Sequence, residues 1–166
     1  MNAVRLSRRE RQIIQELAGG ASLAMAAQTL GISKLTAKSY RDAARNKLGC
    51  PAMAPAMVAA AYDASALEIP AHDGSVVEVT DEQRELLPLL IAGLSTTQMS
   101  KKLHQHIERV RSNLRHLMAA LGGKGHAHMV TRAYQLGLAG PRSQIVELHQ
   151  SAGQDELVDA PASAAR

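Results

Sequence analysis

The chain is written twice. Leu6–Gly49 lies on Val79–Gly122 without a gap, every residue 73 positions from its counterpart, and identities fall at Arg11/Arg84, Leu17/Leu90, Gly20/Gly93, Ser22/Ser95, Leu30/Leu103, Ser39/Ser112, Leu48/Leu121 and Gly49/Gly122. After one residue is dropped the match resumes, with MVAAAY at Met57–Tyr62 answering MVTRAY at Met129–Tyr134. One local fold therefore has to suit both copies, and the shared residues sit at apolar, cap and turn positions, where a fold is specified. Phe and Trp are absent, so a core must come from Leu, Ile, Val, Met and much Ala. Such a core favours small helices that approach closely.

Each copy opens with a capping box, Ser7 with Glu10 and Thr80 with Gln83. Helix one then runs to about Leu17 or Ala92, carried by Ile13, Ile14 and Leu17 and by Leu86, Leu87, Leu90 and Ile91 at helical spacing. Gly20 and Gly93 stop these helices, and Ser22 and Ser95 cap a short second helix ending at Leu30 and Leu103. In the first copy Gly31 supplies a left-handed turn and Ser33 caps a third helix to about Leu48; helix, tight turn, helix is a helix-turn-helix. A fourth helix is expected over Ala52–Ala64 and Ala127–Leu138. The predicted class is all-α, with one domain over 1–65, a linker over 66–78, a second domain over 79–140 and a tail over 141–166. The stretch Ser65–Glu78, with Pro70, Asp73, Gly74 and no base, reads as a solvated linker. In the tail a short helix over Ser143–His149 is followed by an Ala-, Asp-, Ser- and Pro-rich end expected to be disordered.

Positive charge gathers in the copies: the net values are +5 for 1–64, −3 for 65–78, +4 for 79–140 and −2 beyond, giving +4 in all. Much of it sits on the third helices, at Lys34, Lys38, Arg41, Arg45 and Lys47, and at Arg109, Arg111 and Arg115. A charge run alone marks a solvated face, but on the third helix of a helix-turn-helix, twice, it is the footprint of a DNA-facing helix.

The stretch LSRRERQIIQELAGGASLAMAAQTLGISKLTAKSYRDAARNKLG resembles the LuxR-type C-terminal DNA-binding domain of bacterial regulators, whose pattern runs from L-T/S-x-R-E through L-G-I-S-x-x-T-V-K to K-L-G. The second copy resembles it more weakly, through VTDEQRELLPLLIAGLS and HMVTRAYQLGLAG. The resemblance implies a four-helix domain with helix three in the major groove and helix four often used for dimerisation. It places Lys38 and Arg111 on the motif lysine, Ser39 and Ser112 after it, and Asp42 and Arg115 one turn on, all as base-reading positions. Arg111 and Arg115 suit guanine, whereas Asp42 suits cytosine N4 or repels phosphate. Lys34, Thr36, Arg41, Arg45, Lys47 and Arg109 are expected on phosphates. Met57, Val58 and Tyr62 are expected to meet Met129, Val130 and Tyr134, so that one chain imitates a two-fold dimer; the competing arrangement keeps helix four in each copy's own core. Departures from the pattern are Ala37, Arg41 and Ala44, which thin the first core unless Tyr40 fills it, His104 in place of the turn glycine, and Pro88 inside helix one.

His104, His106, His116, His126 and His128 cluster in the second copy, but no carboxylate or thiol pattern accompanies them, so they read as polar surface rather than metal ligands. The single Cys50 excludes an internal disulfide framework and a Cys-based zinc site, and nothing nearby marks it as a nucleophile. No phosphate loop, metallopeptidase helix or triad order appears, so an enzyme is the least supported class, and no cofactor is expected. The first residues lack the apolar stretch of a signal peptide and no apolar run approaches ~20 residues, so a bacterial cytoplasmic, nucleoid-associated protein with no membrane partner is expected. No receiver or ligand-binding domain is read beside the two copies, which puts control in expression level or a partner. The expected function is a transcription regulator binding double-stranded DNA, as a monomer with an internal pseudo-dimer or as a homodimer. The alternative is a protein-interaction module on which a duplicated helix-turn-helix binds another regulator, a sigma factor or RNA polymerase.

Overall fold

A computed structural model describes residues 4–140; the tail readings, including the helix over Ser143–His149, lie outside the described residues. Its elements are eight helices: α1 (Arg8–Ala18), α2 (Leu23–Thr29), α3 (Lys34–Leu48), α4 (Ala54–Asp63), α5 (Asp81–Ile91), α6 (Thr96–Leu103), α7 (Ile107–Leu121) and α8 (His126–Gln135). The fold is all-α, as the repeat and its periodicity require. None of these helices is long and apolar enough to cross a membrane.

Local chemistry places the boundaries. The Ser7–Glu10 and Thr80–Gln83 boxes are both closed, and a third forms between Ser95 and Gln98 at α6, each satisfying orphan amides at a helix start. Ser22 and Ser33 accept from Met25 N–H and Thr36 N–H to open α2 and α3. Between α2 and α3 the chain turns at Gly31 with φ +63, and between α6 and α7 at His104 with φ +52. The second copy thus keeps the left-handed turn without glycine, at a local cost that histidine tolerates better than most side chains. Ser100 Oγ steadies that turn by donating to the Gln105 carbonyl at 2.6 Å. Pro88 is accommodated inside α5, which runs on to Ile91, with the proline exposed.

In each copy the first three helices meet around Ile13, Ile14 and Leu17 or Leu86, Leu87 and Leu90, with the third helix contributing Ala37 and Ala44 in one case and Val110, Leu114, Leu117 and Leu121 in the other. Fully buried Ala37 and Ala44, with half-buried Tyr40 beside them, let α3 sit close to α1 and α2. The buried side chains of the two copies form one continuous cluster. It is joined where α4 packs on α8, while α1 touches α8 and α5 touches α4.

The connection between copies is mostly exposed but is anchored at several points. Ala66 and Leu67 are buried, and further on Asp73 pairs with Arg132 at 2.6 Å while Gln135 donates to the Ala71 carbonyl at 2.9 Å. Both anchors lie on α8, so the connection, exposed over most of its length, is tied to the second copy.

Candidate nucleic-acid interface

In the first copy the capped start of α3 fixes the direction of the exposed side chains. Ser33 Oγ and Thr36 Oγ1 lie 2.8 Å apart and lock the first turn. Ala37, Tyr40 and Ala44 face inward, which leaves Lys34, Leu35, Lys38 and Ser39 outward, with Ser39 Oγ donating back to the Leu35 carbonyl at 3.2 Å. Lys34 and Lys38 have no side-chain partner among the described residues, so their ammonium groups stand toward whatever docks on this face. Asp42, one turn on, accepts from Arg41 Nε at 3.0 Å and Nη2 at 2.7 Å. Those hydrogen bonds hold its carboxyl below the usual range, helped by the charges of Arg45 and Lys38. Asp42 therefore stays ionised and consumes one cation, Arg41, of the same helix.

Near the end of α3 two more of the phosphate candidates divide. Arg45 Nη2 makes a 3.3 Å bond to Asn46 Oδ1 on the surface. Lys47 reaches across to Glu10 at 2.8 Å, and Glu10 is only 6 % exposed. Burial opposes ionisation of Glu10, yet the Lys47 ammonium and the Ser7 amide outweigh it and hold the carboxyl below its ordinary value. Lys47 is thus held within its own copy, tying the end of α3 to the capping box of α1.

The second copy is paired more heavily. Arg109 Nε donates to Glu82 Oε2 at 3.2 Å, with a second contact from Nη2, and Asn113 Nδ2 reaches the same carboxylate at 2.8 Å. Arg111 pairs with Glu108 one turn before it. Ser112 is half-buried, and Arg115 is exposed without a side-chain partner among the described residues. Exposed pairs of this kind contribute little to stability, little enough to exchange for phosphate or base contacts.

The fourth-helix residues lie at the junction of the copies. Met57, Val58, Tyr62, Met129, Val130 and Tyr134 are all buried, and the rings of Tyr62 and Tyr134 sit 5.1 Å apart. Tyr62 OH donates to Thr131 Oγ1 at 3.1 Å, and Thr131 Oγ1 donates to the Ala18 carbonyl at 2.8 Å, so a residue of α8 closes the C-terminal end of α1. Tyr134 OH donates to Asp63 at 2.8 Å in the opposite sense. The repeat glycines are packed reciprocally: a Cβ on Gly20 would lie 2.9 Å from the Lys124 Cβ, and one on Gly93 would lie 3.0 Å from the Ala56 Cβ. Among the histidines, His128 accepts from the Lys124 amide at 3.0 Å, and burial together with Lys124 and Arg132 lowers its affinity for a proton. Burial raises the Cys50 thiol, away from thiolate chemistry.

None of the Glu10–Lys47, Glu82–Arg109 or Thr131–Ala18 contacts carried a sequence signal, because their partners lie 37, 27 and 113 residues apart. Compared with known families, residues 4–60 match the family model for bacterial regulatory proteins, luxR family. No curated protein and no solved structure matches the chain. The matched segment spans α1, α2, α3 and most of α4, so the capped, glycine-turned α2–α3 pair lies inside the stretch that is similar to the luxR family.

Proposed function

We propose that the protein is a transcription regulator that binds double-stranded DNA in sequence-specific fashion, laying α3 and α7 of one chain on a bipartite site. The observation that carries this reading is the coincidence, inside the segment matching the luxR family, of a helix-turn-helix whose third helix presents Lys34 and Lys38 unpaired to solvent. Lys38, Ser39 and Asp42 on α3, and Arg111, Ser112 and Arg115 on α7, are the base-reading residues of this proposal; Lys34, Thr36 and Arg45 take phosphates, and Arg41, Lys47 and Arg109 contribute there only after leaving their present partners. The packing of α4 on α8 supports two helices acting as a built-in dimer with unequal halves, because Asp42 and Arg115 occupy the same repeat position and cannot read the same base. Recognition helices one turn apart would require half-sites about 34–36 Å apart.

Selection of bound duplexes from random sequence tests binding, specificity and spacing together. A bipartite motif of unequal halves is expected; enrichment of no motif would refute the reading. A second reading, a protein-binding module, draws on the neutralised state of Arg109 and Arg111, which leaves α7 less cationic than its sequence. Ionic strength separates the two. Phosphate contacts weaken steeply with salt, by about one unit of logarithmic slope per contact, whereas an apolar protein interface does not.

A further inference from the structure

Leu35, Lys38, Ser39 and Asp42 form one stripe along α3, spaced by three, four and seven residues. Leu35 is 75 % exposed, the most exposed of the large apolar side chains on the described helices. A single exposed leucine is ordinary on a protein surface. This one is the second residue of the helix, in the N-terminal portion from which helix-turn-helix proteins touch base edges, and it stands between Lys34, which takes a phosphate in the reading above, and Lys38, which reads a base. Its backbone is fixed by the Ser33 cap and by the hydroxyl of Ser39 on its carbonyl. Leucine has neither donor nor acceptor, and the apolar group that base pairs offer in the major groove is the 5-methyl of thymine.

We propose that Leu35 is a specificity-determining residue that seats on a thymine 5-methyl in the half-site read by α3, an inference that rests on the DNA-binding reading above. The same repeat position of α7 is Glu108, charged and paired with Arg111, so that half-site has no use for the methyl at this position. Methyl recognition is therefore confined to one half of the site.

The test replaces each thymine of the selected duplex, one at a time, with deoxyuridine, which removes only the methyl, and measures the affinity of the full chain, of Leu35→Ala and of Glu108→Ala. At one or two thymines of a single half-site the parent should weaken about fourfold, the value of one buried methyl. Leu35→Ala should bind the thymine duplex about as weakly and be indifferent to deoxyuridine at those positions, while Glu108→Ala keeps the parent's sensitivity. A parent indifferent to every replacement overturns the assignment without recourse to any variant, and so does a Leu35→Ala chain as sensitive as the parent. Failure of the underlying reading looks different: no duplex is selected, and no site exists in which to place deoxyuridine.

Discussion

Lys47 and Asp42 illustrate how the same residue type changes meaning with its neighbour. On sequence spacing Lys47 is one more cation of a basic helix, yet its ammonium lies on the buried Glu10 that closes the first capping box. Replacing Lys47 with Met is expected to lower stability by about 1–3 kcal/mol, since Glu10 would keep a poorly compensated charge; urea denaturation measures it, and an unchanged midpoint would exclude the coupling. Because the Glu10 carboxyl is held below its ordinary value, its contribution is present at neutral pH and is lost as the pH falls through that lowered value. A Glu10→Gln variant should accordingly lose less stability than the parent between pH 5 and about pH 3. By contrast Lys38 and Arg115 make no internal ion pair, so Ala at either should cost affinity at one or two base pairs, by about 1–3 kcal/mol each, with little change in folding. Selection with each variant checks this; motifs identical to the parent's would remove both residues from base reading.

Whole helices were far more legible than these pairings. Each cap that Ser, Thr, Glu, Gln and Gly announced lies within the reach of three or four residues, and the chemistry that opens or ends a helix is local in the same way. The turn before α7 was less legible, because His104 gives no sign that its backbone takes a left-handed φ until the repeat sets it opposite Gly31. His104→Gly should relieve that conformation, worth about 1–2 kcal/mol, against the ~0.5–1 kcal/mol that glycine loses in backbone freedom. A net gain of roughly 0.5–1 kcal/mol in thermal or urea unfolding is expected, and a loss would show that the histidine side chain holds the turn. The Glu82–Arg109 pair that damps the charge of α7 was invisible for the opposite reason: nothing local requires it.

At the scale of the molecule, sequence spacing located the shared Met-Val-x-x-Ala-Tyr helices but not how much the copies depend on one another. The difference is visible at Thr131, which answers Ala59 in the repeat and adds a hydroxyl that the first copy lacks. That hydroxyl joins Tyr62 to the Ala18 carbonyl, so Thr131→Val leaves two buried polar groups without a partner. A loss of about 1–3 kcal/mol is expected, with a single cooperative transition retained because the core is continuous. Calorimetry decides: two separated transitions in the parent would mean that each copy melts alone. The connection is exposed over most of its length, as its charge and Pro/Gly content suggest, but that composition says nothing of Ala66 and Leu67, which turn inward.

The closure of α1 by Thr131 also has a consequence in time. Ala18 leaves the ribosome 113 residues before its partner, which at the usual ~5–20 residues per second is a delay of about 6–23 s. Once α4 is made, the nascent first copy has no α8 to pack on the helix that carries Met57, Val58 and Tyr62, and its four helices lack that cover. Chains arrested near residue 80 and extended by a spacer that clears the exit tunnel should therefore be captured by chaperones and cut readily by protease, while chains extended past α8 by the same spacer should resist both. On this order of synthesis the second copy would act as an intramolecular escort of the first, and the copy that matches the family model is the one that waits.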